Sequence, residues 1–292
     1  MDGATWRFES GSYEALGHTF AIRTTDLALG RYLDTLFRHF VTTGTGSDVT
    51  LYSLIVEGDG RALPFVLHRD DEELGHFAQG RTILAELLWH INRSAVRDTK
   101  DHLLLHASAA AWRGKTLIFP APMESGKSTL VAGLVRAGFG YVTDEAVAIE
   151  PSTLTVTAFP RAISIDPGSW GVLSDLRPNL SAELERYQGD QWQVEPDSIR
   201  PGSVVRRSEP GFVITPRYRK GAETRLWAMS RSEAVRLMGS NAFNFQAFDR
   251  RGLRVLAEVA RQSACYRLDI GELGLACELV GSLVGASDGA QG

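Results

Sequence analysis

Residues 116–136 read TLIFPAPMESGKSTLVAGLVR, and the fold of the chain turns on how this stretch is read. Thr116 to Phe119 is a short apolar run of the kind that forms a buried strand. Lys127 to Arg136 reads as a helix, with Gly138 and Gly140 beyond it, where glycine takes the left-handed conformation of a helix end at least cost. Between strand and helix lies Ala121-Pro-Met-Glu-Ser-Gly-Lys-Ser128, the setting a phosphate-binding loop requires. The backbone N–H groups of such a loop, together with the helix N-terminus, offer positive potential to phosphates.

Ala121, Pro122, Met123, Glu124, Ser125, Gly126, Lys127, Ser128 and Thr129 are therefore expected to hold a nucleotide. Lys127 is expected on the β- and γ-phosphates and Ser128 on Mg²⁺ through its hydroxyl. Two positions depart from the usual G-x-x-x-x-G-K-[ST] pattern. Ala121 stands at its first glycine, and Glu124 stands where many such loops carry glycine. Two unit charges about 5 Å apart at an effective dielectric near 20 repel by about 3 kcal/mol. Glu124 must then point outward, pair with a cation or reach the metal.

Tyr141 to Thr143 reads as the next strand and ends at Asp144-Glu145. Ligands of α/β proteins collect at the carboxyl ends of parallel strands, so the acidic pair is expected beside the loop. One acid there can serve a metal and the other can accept a proton from an attacking hydroxyl. Upstream, Leu103 to Ala111 is strand-like and carries His106. His102 lies four residues earlier on the same strand face, but no third metal ligand accompanies the two.

Working outward, Val147–Ile149 and 153–159 read as a hairpin around Pro151-Ser152. Residues 168–211 are rich in Gly, Pro, Ser and charge, and are expected to be irregular and mobile and to cover the site. Phe212–Thr215 resumes as a strand. Ser230 opens a helix, with Glu233 completing a capping box. A helix over 249–262, a strand over 266–270 and a last helix over 272–283 follow. The tail 285–292 is expected to be disordered. On the other side, residues 1–100 read as a smaller α+β domain. Strands are expected over 13–23 and 49–56, with a turn at Asp59-Gly60. Leu29, Leu33, Leu36, Phe37 and Phe40 mark a helix over 26–40, and a second helix is expected over 72–93. The division expected is thus 1–100, 101–284 and a tail.

Composition fits two globular domains: 292 residues, 43% hydrophobic and 23% charged. A net charge of −4 lacks the basic excess of a nucleic-acid binder. Arg217, Arg219 and Lys220 form a local basic cluster suited to phosphate or an acidic substrate. Two cysteines in a chain of this length make no disulfide framework, and no stretch is apolar over a membrane-spanning length. The N-terminal MDGATWRFES has no signal-peptide pattern, so a cytoplasmic protein is expected.

Four features in order, His106, Gly126-Lys127-Ser128, Arg136-Ala137-Gly138 and Asp144-Glu145, resemble the catalytic domain of bacterial HPr kinase/phosphorylase. Phe159-Pro160-Arg161, residues 215–222, residues 230–234 and Asn241-Ala-Phe-Asn244 are similar to a divergent HPr-kinase-related branch. The resemblance covers about residues 100–275. It implies a P-loop kinase-like α/β core with a mixed central sheet, ATP and Mg²⁺ as cofactors, and phosphoryl transfer to a hydroxyl. By the same resemblance Asp144 is the base, His106 tunes it, Lys127 stabilises phosphates, and Ser128 and Glu145 serve the metal. Self-association is also implied. The E-x-R-G-x-G motif tied to phosphorolysis is absent, so a kinase without the reverse reaction is expected. The acceptor class is a serine of a peptide or small protein, or a free amino acid. Arg161, Arg217 and Arg219 are candidates to neutralise transition-state charge. The rival readings are an NTPase switch and a nucleotide-binding regulator without catalysis.

Overall fold

The computed structural model describes residues 4–44, 48–57 and 64–289. The chain divides into two compact units, one of residues 1–100 with 177–195 and one of residues 101–176 with 196–292.

The first unit starts with β1 (Phe8–Glu9), β2 (Tyr13–Ala15) and β3 (His18–Thr24), then α1 (Leu27–Phe37) with a 3₁₀ turn at Arg38–Phe40. Strands β4 (Thr50–Val56), β5 (Phe65–Arg69) and β6 (Glu72–Phe77) follow, then α2 (Gly80–Asp98). The six strands form one sheet in the order β1-β3-β4-β5-β6, with β2 against β3. Only β3 and β4 are parallel, and α1 makes the crossover such a pair requires. Asp26 caps α1 by accepting from the Leu29 amide at 3.0 Å. The apolar stripe of α1, Leu29, Leu33, Leu36 and Phe37, is buried, with Phe37 packed edge-on against Phe20.

The helix expected over 72–93 is a strand followed by a helix. Asp70 takes a left-handed φ of 53° and turns the chain back, so that Glu72–Phe77 pairs with β5. Helical pattern begins only at Gly80, where Ile83, Leu84, Leu87 and Ile91 form the buried stripe. The turn expected at Asp59-Gly60 lies outside the described residues.

The second unit starts with β7 (Leu103–Trp112) and β8 (Lys115–Pro120), joined by a two-residue turn in which Arg113 and Gly114 both have positive φ. Then come α3 (Lys127–Arg136), β9 (Gly140–Thr143), β10 (Ala146–Ile149), β11 (Val156–Thr157) and β12 (Ile163–Ile165). Gly138, at φ 101°, ends α3 with its amide on the Val135 carbonyl. Gly140 does not share this task; it opens β9, where a Cβ would meet Val205 at 2.4 Å.

The segment expected to be irregular holds 3₁₀ turns at Pro167–Ser169 and Ser174–Leu176, then α4 (Ala182–Glu185), β13 (Trp192–Val194) and α5 (Pro196–Ile199). Residues 177–195 of it belong to the first unit, not to the second as the sequence division had it. Tyr187 fixes them there: it is fully buried and donates to Asp26 Oδ2 at 2.8 Å. Its ring lies 6.0 Å from that of Phe65.

The chain ends with β14 (Arg207–Tyr218), β15 (Arg225–Ala228), α6 (Arg231–Ser240), α7 (Phe245–Gln262), β16 (Ala264–Ile270) and α8 (Leu273–Gly289). Strand β14 is much longer than its apolar stretch indicates, because a bulge at Pro210–Phe212 absorbs the Pro-Gly step. A Cβ on Gly211 would come within 2.8 Å of Lys115, so the close approach of β8 requires glycine. Ser230 caps α6 as expected, accepting from the Glu233 amide at 3.2 Å. Helix α8 does not stop at 283. Its buried stripe Leu273, Ala276, Val280 and Val284 carries the helix past the point where a disordered tail was expected.

The second sheet has eight strands in the order β11-β10-β7-β8-β14-β16-β15, with β9 also on β7. It is mixed: β8, β14 and β16 are parallel neighbours, while β7 and β15 run against theirs. Strand alternation sorts the two faces. Leu103, Leu105, Ala107 and Ala109 of β7 join Ile118, Val213 and the α7 residues Val255, Leu256 and Val259 in one core. A fully buried Leu or Val there contributes about 1.5–3 kcal/mol. His106 and Ser108 therefore face the opposite side, where α3 packs.

Candidate active site

The loop between β8 and α3 is closed on itself. Gly126 adopts a left-handed φ of 86° and starts α3. Lys127, 7% exposed, curls back to donate from Nζ to the carbonyls of Ala121 at 2.9 Å and Pro122 at 2.7 Å. Burial lowers the Lys127 pKa, and Glu145 and Asp144 oppose that shift. Ala121 is fully buried and has a negative φ, so its methyl brings no backbone strain where the common pattern has glycine. Glu124 is the strained position, with a φ of 60°. Its side chain is exposed, which is the outward orientation that charge repulsion demands.

The acidic pair sits where one long strand is interrupted. Strands β9 and β10 both run along β7, Thr143 opposite Ala109 and Ala146 opposite His106. Between them the Thr143 hydroxyl accepts from the amides of Glu145 and Ala146, at 3.1 and 3.2 Å, and Ser108 donates to the Asp144 carbonyl at 3.0 Å. Pro120, the last residue of β8, lies opposite Ala107. The start of the Gly-Lys-Ser loop and the acidic pair thus flank the same rungs of β7, about 10 Å apart at the usual strand spacing.

The two acids differ in surroundings. Asp144 is 4% exposed; its Oδ2 accepts from the Ser164 amide at 2.9 Å and its Oδ1 from the Tyr141 hydroxyl at 3.4 Å. Burial raises its pKa, and Arg161, with Nε 3.7 Å from Oδ1, only partly offsets this. Glu145 is more open. Burial would raise it too, but His106 and Arg161 outweigh burial and hold it below the ordinary glutamate value. Arg161 donates from Nη1 to Glu145 Oε2 at 3.0 Å and from Nη2 to Ser164 Oγ at 2.8 Å, so one guanidinium spans both carboxylates. His106 Nδ1 stands 3.6 Å from Glu145 Oε1, an ion-pair distance, and its ring meets Phe243 edge-on at 5.4 Å. The two environments thus push neighbouring carboxyl groups in opposite directions, Asp144 up and Glu145 down.

The structure thus groups Lys127, Asp144, Glu145 and His106 on the α3 side of β7, and brings Arg161 to the acids. Arg217 and Arg219 are not drawn to the acids; they lie on either side of Tyr218, the last residue of β14. His102 is not paired with His106 and bonds the Thr157 hydroxyl at 3.3 Å. Thr129 is turned to Ser169, with the two hydroxyl oxygens 2.6 Å apart. The supports to which the sequence assigned no role are Tyr141, Ser164 and Phe243. Tyr141 and Ser164 act on Asp144 across 3 and 20 residues, and no local pattern announces either contact.

A polyphosphate and a magnesium ion fit the groups present. The Ser125 hydroxyl is buried without a hydrogen-bond partner, and the Ser128 hydroxyl has none among the described residues. Hydroxyl and carboxylate oxygens are the donors magnesium takes.

No protein-family model and no curated protein matches the chain. Among solved structures it is similar to the HPr(Ser) kinase/phosphatase of Coxiella burnetii, at 12% identity and a TM-score of 0.34, over 65% of this chain and 99% of that one. That is a distant likeness of fold and leaves function to the geometry of the site. No helix among the described residues is long and apolar enough to cross a membrane.

Proposed function

We propose that the chain is a phosphotransferase that moves the γ-phosphate of ATP to a hydroxyl group, a serine of a peptide or small protein or a free amino acid. The observation that carries this reading is the contrast in burial and bonding between Asp144 and Glu145 beside a Gly-Lys-Ser loop. Asp144, its pKa raised by burial, takes the proton as the acceptor oxygen attacks the γ-phosphorus. The bond to the bridging oxygen breaks and ADP leaves. Lys127 gives up its loop carbonyls and follows the phosphate charge. Arg161 holds both carboxylates in place, and His106 helps keep Glu145 ionised. Ser128 and Glu145 would hold Mg²⁺, which when bound supplies charge neutralisation between phosphate oxygens.

A second reading, a nucleotide-binding regulator that hydrolyses slowly or not at all, is favoured by one observation: Asp144 is buried and bonded through both oxygens. Phosphorus NMR of MgATP with serine or a serine peptide separates the two. The kinase reading expects ADP and a new phosphomonoester signal from the parent and neither from Asp144→Asn. ADP with inorganic phosphate alone favours the regulator.

A further inference from the structure

We infer that Tyr218 is the platform on which the base of the bound nucleotide stacks. The inference rests on the phosphate-loop reading above and adds the part of the ligand that reading leaves unplaced.

Direction along the sheet comes first. On one side of β8 lie β7 and then β9 and β10, which carry the acids; on the other side lies β14. A γ-phosphate that reacts beside Asp144 leaves the other end of the triphosphate, and the nucleoside, on the β14 side of the loop.

Strand β14 is built to meet it. It runs parallel to β8 with Val213 opposite Ile118. Strand β8 ends two residues later at Pro120, whereas β14 continues to Tyr218, about 10 Å further at the usual rise per residue. The extension is tied to the loop: the Tyr218 amide donates to the Ser125 carbonyl at 3.1 Å. A Cβ placed on Gly126 would stand 3.2 Å from Tyr218 Cβ, so the side chain springs from directly beside the Gly-Lys step. Alternation fixes its side, because Val213 belongs to the α7 core and Tyr218, five residues on, faces the α3 side with the loop.

Tyr218 is 50% exposed, and its hydroxyl has no hydrogen-bond partner among the described residues. A half-exposed tyrosine is ordinary on a protein surface. One that roots against the phosphate loop, at the end away from the acids, has a flat apolar face where a base must lie. Arg217, Arg219 and Lys220 flank it in the chain, exposed and without an anionic partner among the described residues, and add positive potential along the approach of an anionic ligand. Stacking reads the π-face of a base rather than its edge, so the site takes purine nucleoside triphosphates with little choice between adenine and guanine.

The test is calorimetric titration of the full chain with MgATP, MgGTP and magnesium tripolyphosphate, the last having phosphates and no nucleoside. Tyr218→Ala is expected to weaken ATP and GTP about tenfold or more while tripolyphosphate stays within about twofold. Tyr218→Phe and Tyr218→Trp should bind ATP as the parent does. Equal weakening of ATP and tripolyphosphate by Tyr218→Ala would show that the ring only shapes the loop, and unchanged ATP binding would show that it does nothing; either overturns the inference. If the parent binds tripolyphosphate no better than Lys127→Ala does, the phosphate-loop reading itself fails, an outcome distinct from failure of the stacking.

Discussion

Asp144 bears a cost in stability that its proposed role explains. Its carboxyl ionises less readily in the folded protein than in the unfolded chain, because it is buried. The native state therefore holds the proton more firmly than the unfolded one, and the parent loses stability as pH rises through the folded pKa. Asp144→Asn, which cannot ionise, should abolish transfer and yet melt above the parent at pH 7, with the gap closing below about pH 3.8. Scanning calorimetry across pH checks this; a variant that melts lower at pH 7 would mean the Arg161 contact outweighs burial. Glu124 makes the opposite trade. Its left-handed backbone costs a residue with a Cβ about 1–2 kcal/mol, and its charge repels any phosphate nearby even from an exposed position. Glu124→Gly should tighten MgATP binding, and an unchanged affinity would show that the loop is not tuned by this residue. Much of this scale was legible in the sequence, since Gly-Lys-Ser and an acidic pair after the next strand are local patterns. Arg161 was one of three candidate arginines until the folded strands brought it to the acids, because that choice depends on pairing across 16 residues.

At the scale of elements, what positions the site is a set of close approaches that only folding reveals. Strands were legible where apolar residues ran together, as in β7, β8 and β16. They were hidden where a Pro-Gly step needed a bulge, as in β14, or where a charged edge strand preceded a helix, as in β6. Helix α1 of the first unit shows such an approach: a Cβ on Gly30 would sit 2.2 Å from the Phe8 ring of β1. Gly30→Ala should destabilise the protein by about 1–3 kcal/mol despite alanine's better helix propensity, because the ring has to move. Urea unfolding measures this, and a stabilised variant would show that β1 shifts freely.

For the whole molecule, the sequence indicated a change of character near residue 100, and the chain passes from the first unit to the second between Lys100 and Asp101. It gave no sign that residues 177–195 return to the first unit, because the anchor, Tyr187 buried against Asp26 and Phe65, joins positions more than a hundred residues apart. The proposed phosphoryl transfer depends on the second unit, and there on one lysine. Lys127 is now held by two loop carbonyls, and its charge is available to phosphate only if those bonds exchange. Calorimetric titration of MgATP into the parent and into Lys127→Ala tests this most directly. Saturable binding to the parent, weakened by tenfold or more in the variant (about 1.4 kcal/mol or more), is the predicted result. Equal binding to both proteins, or none to a folded parent, would contradict the claim that this loop grips a nucleotide.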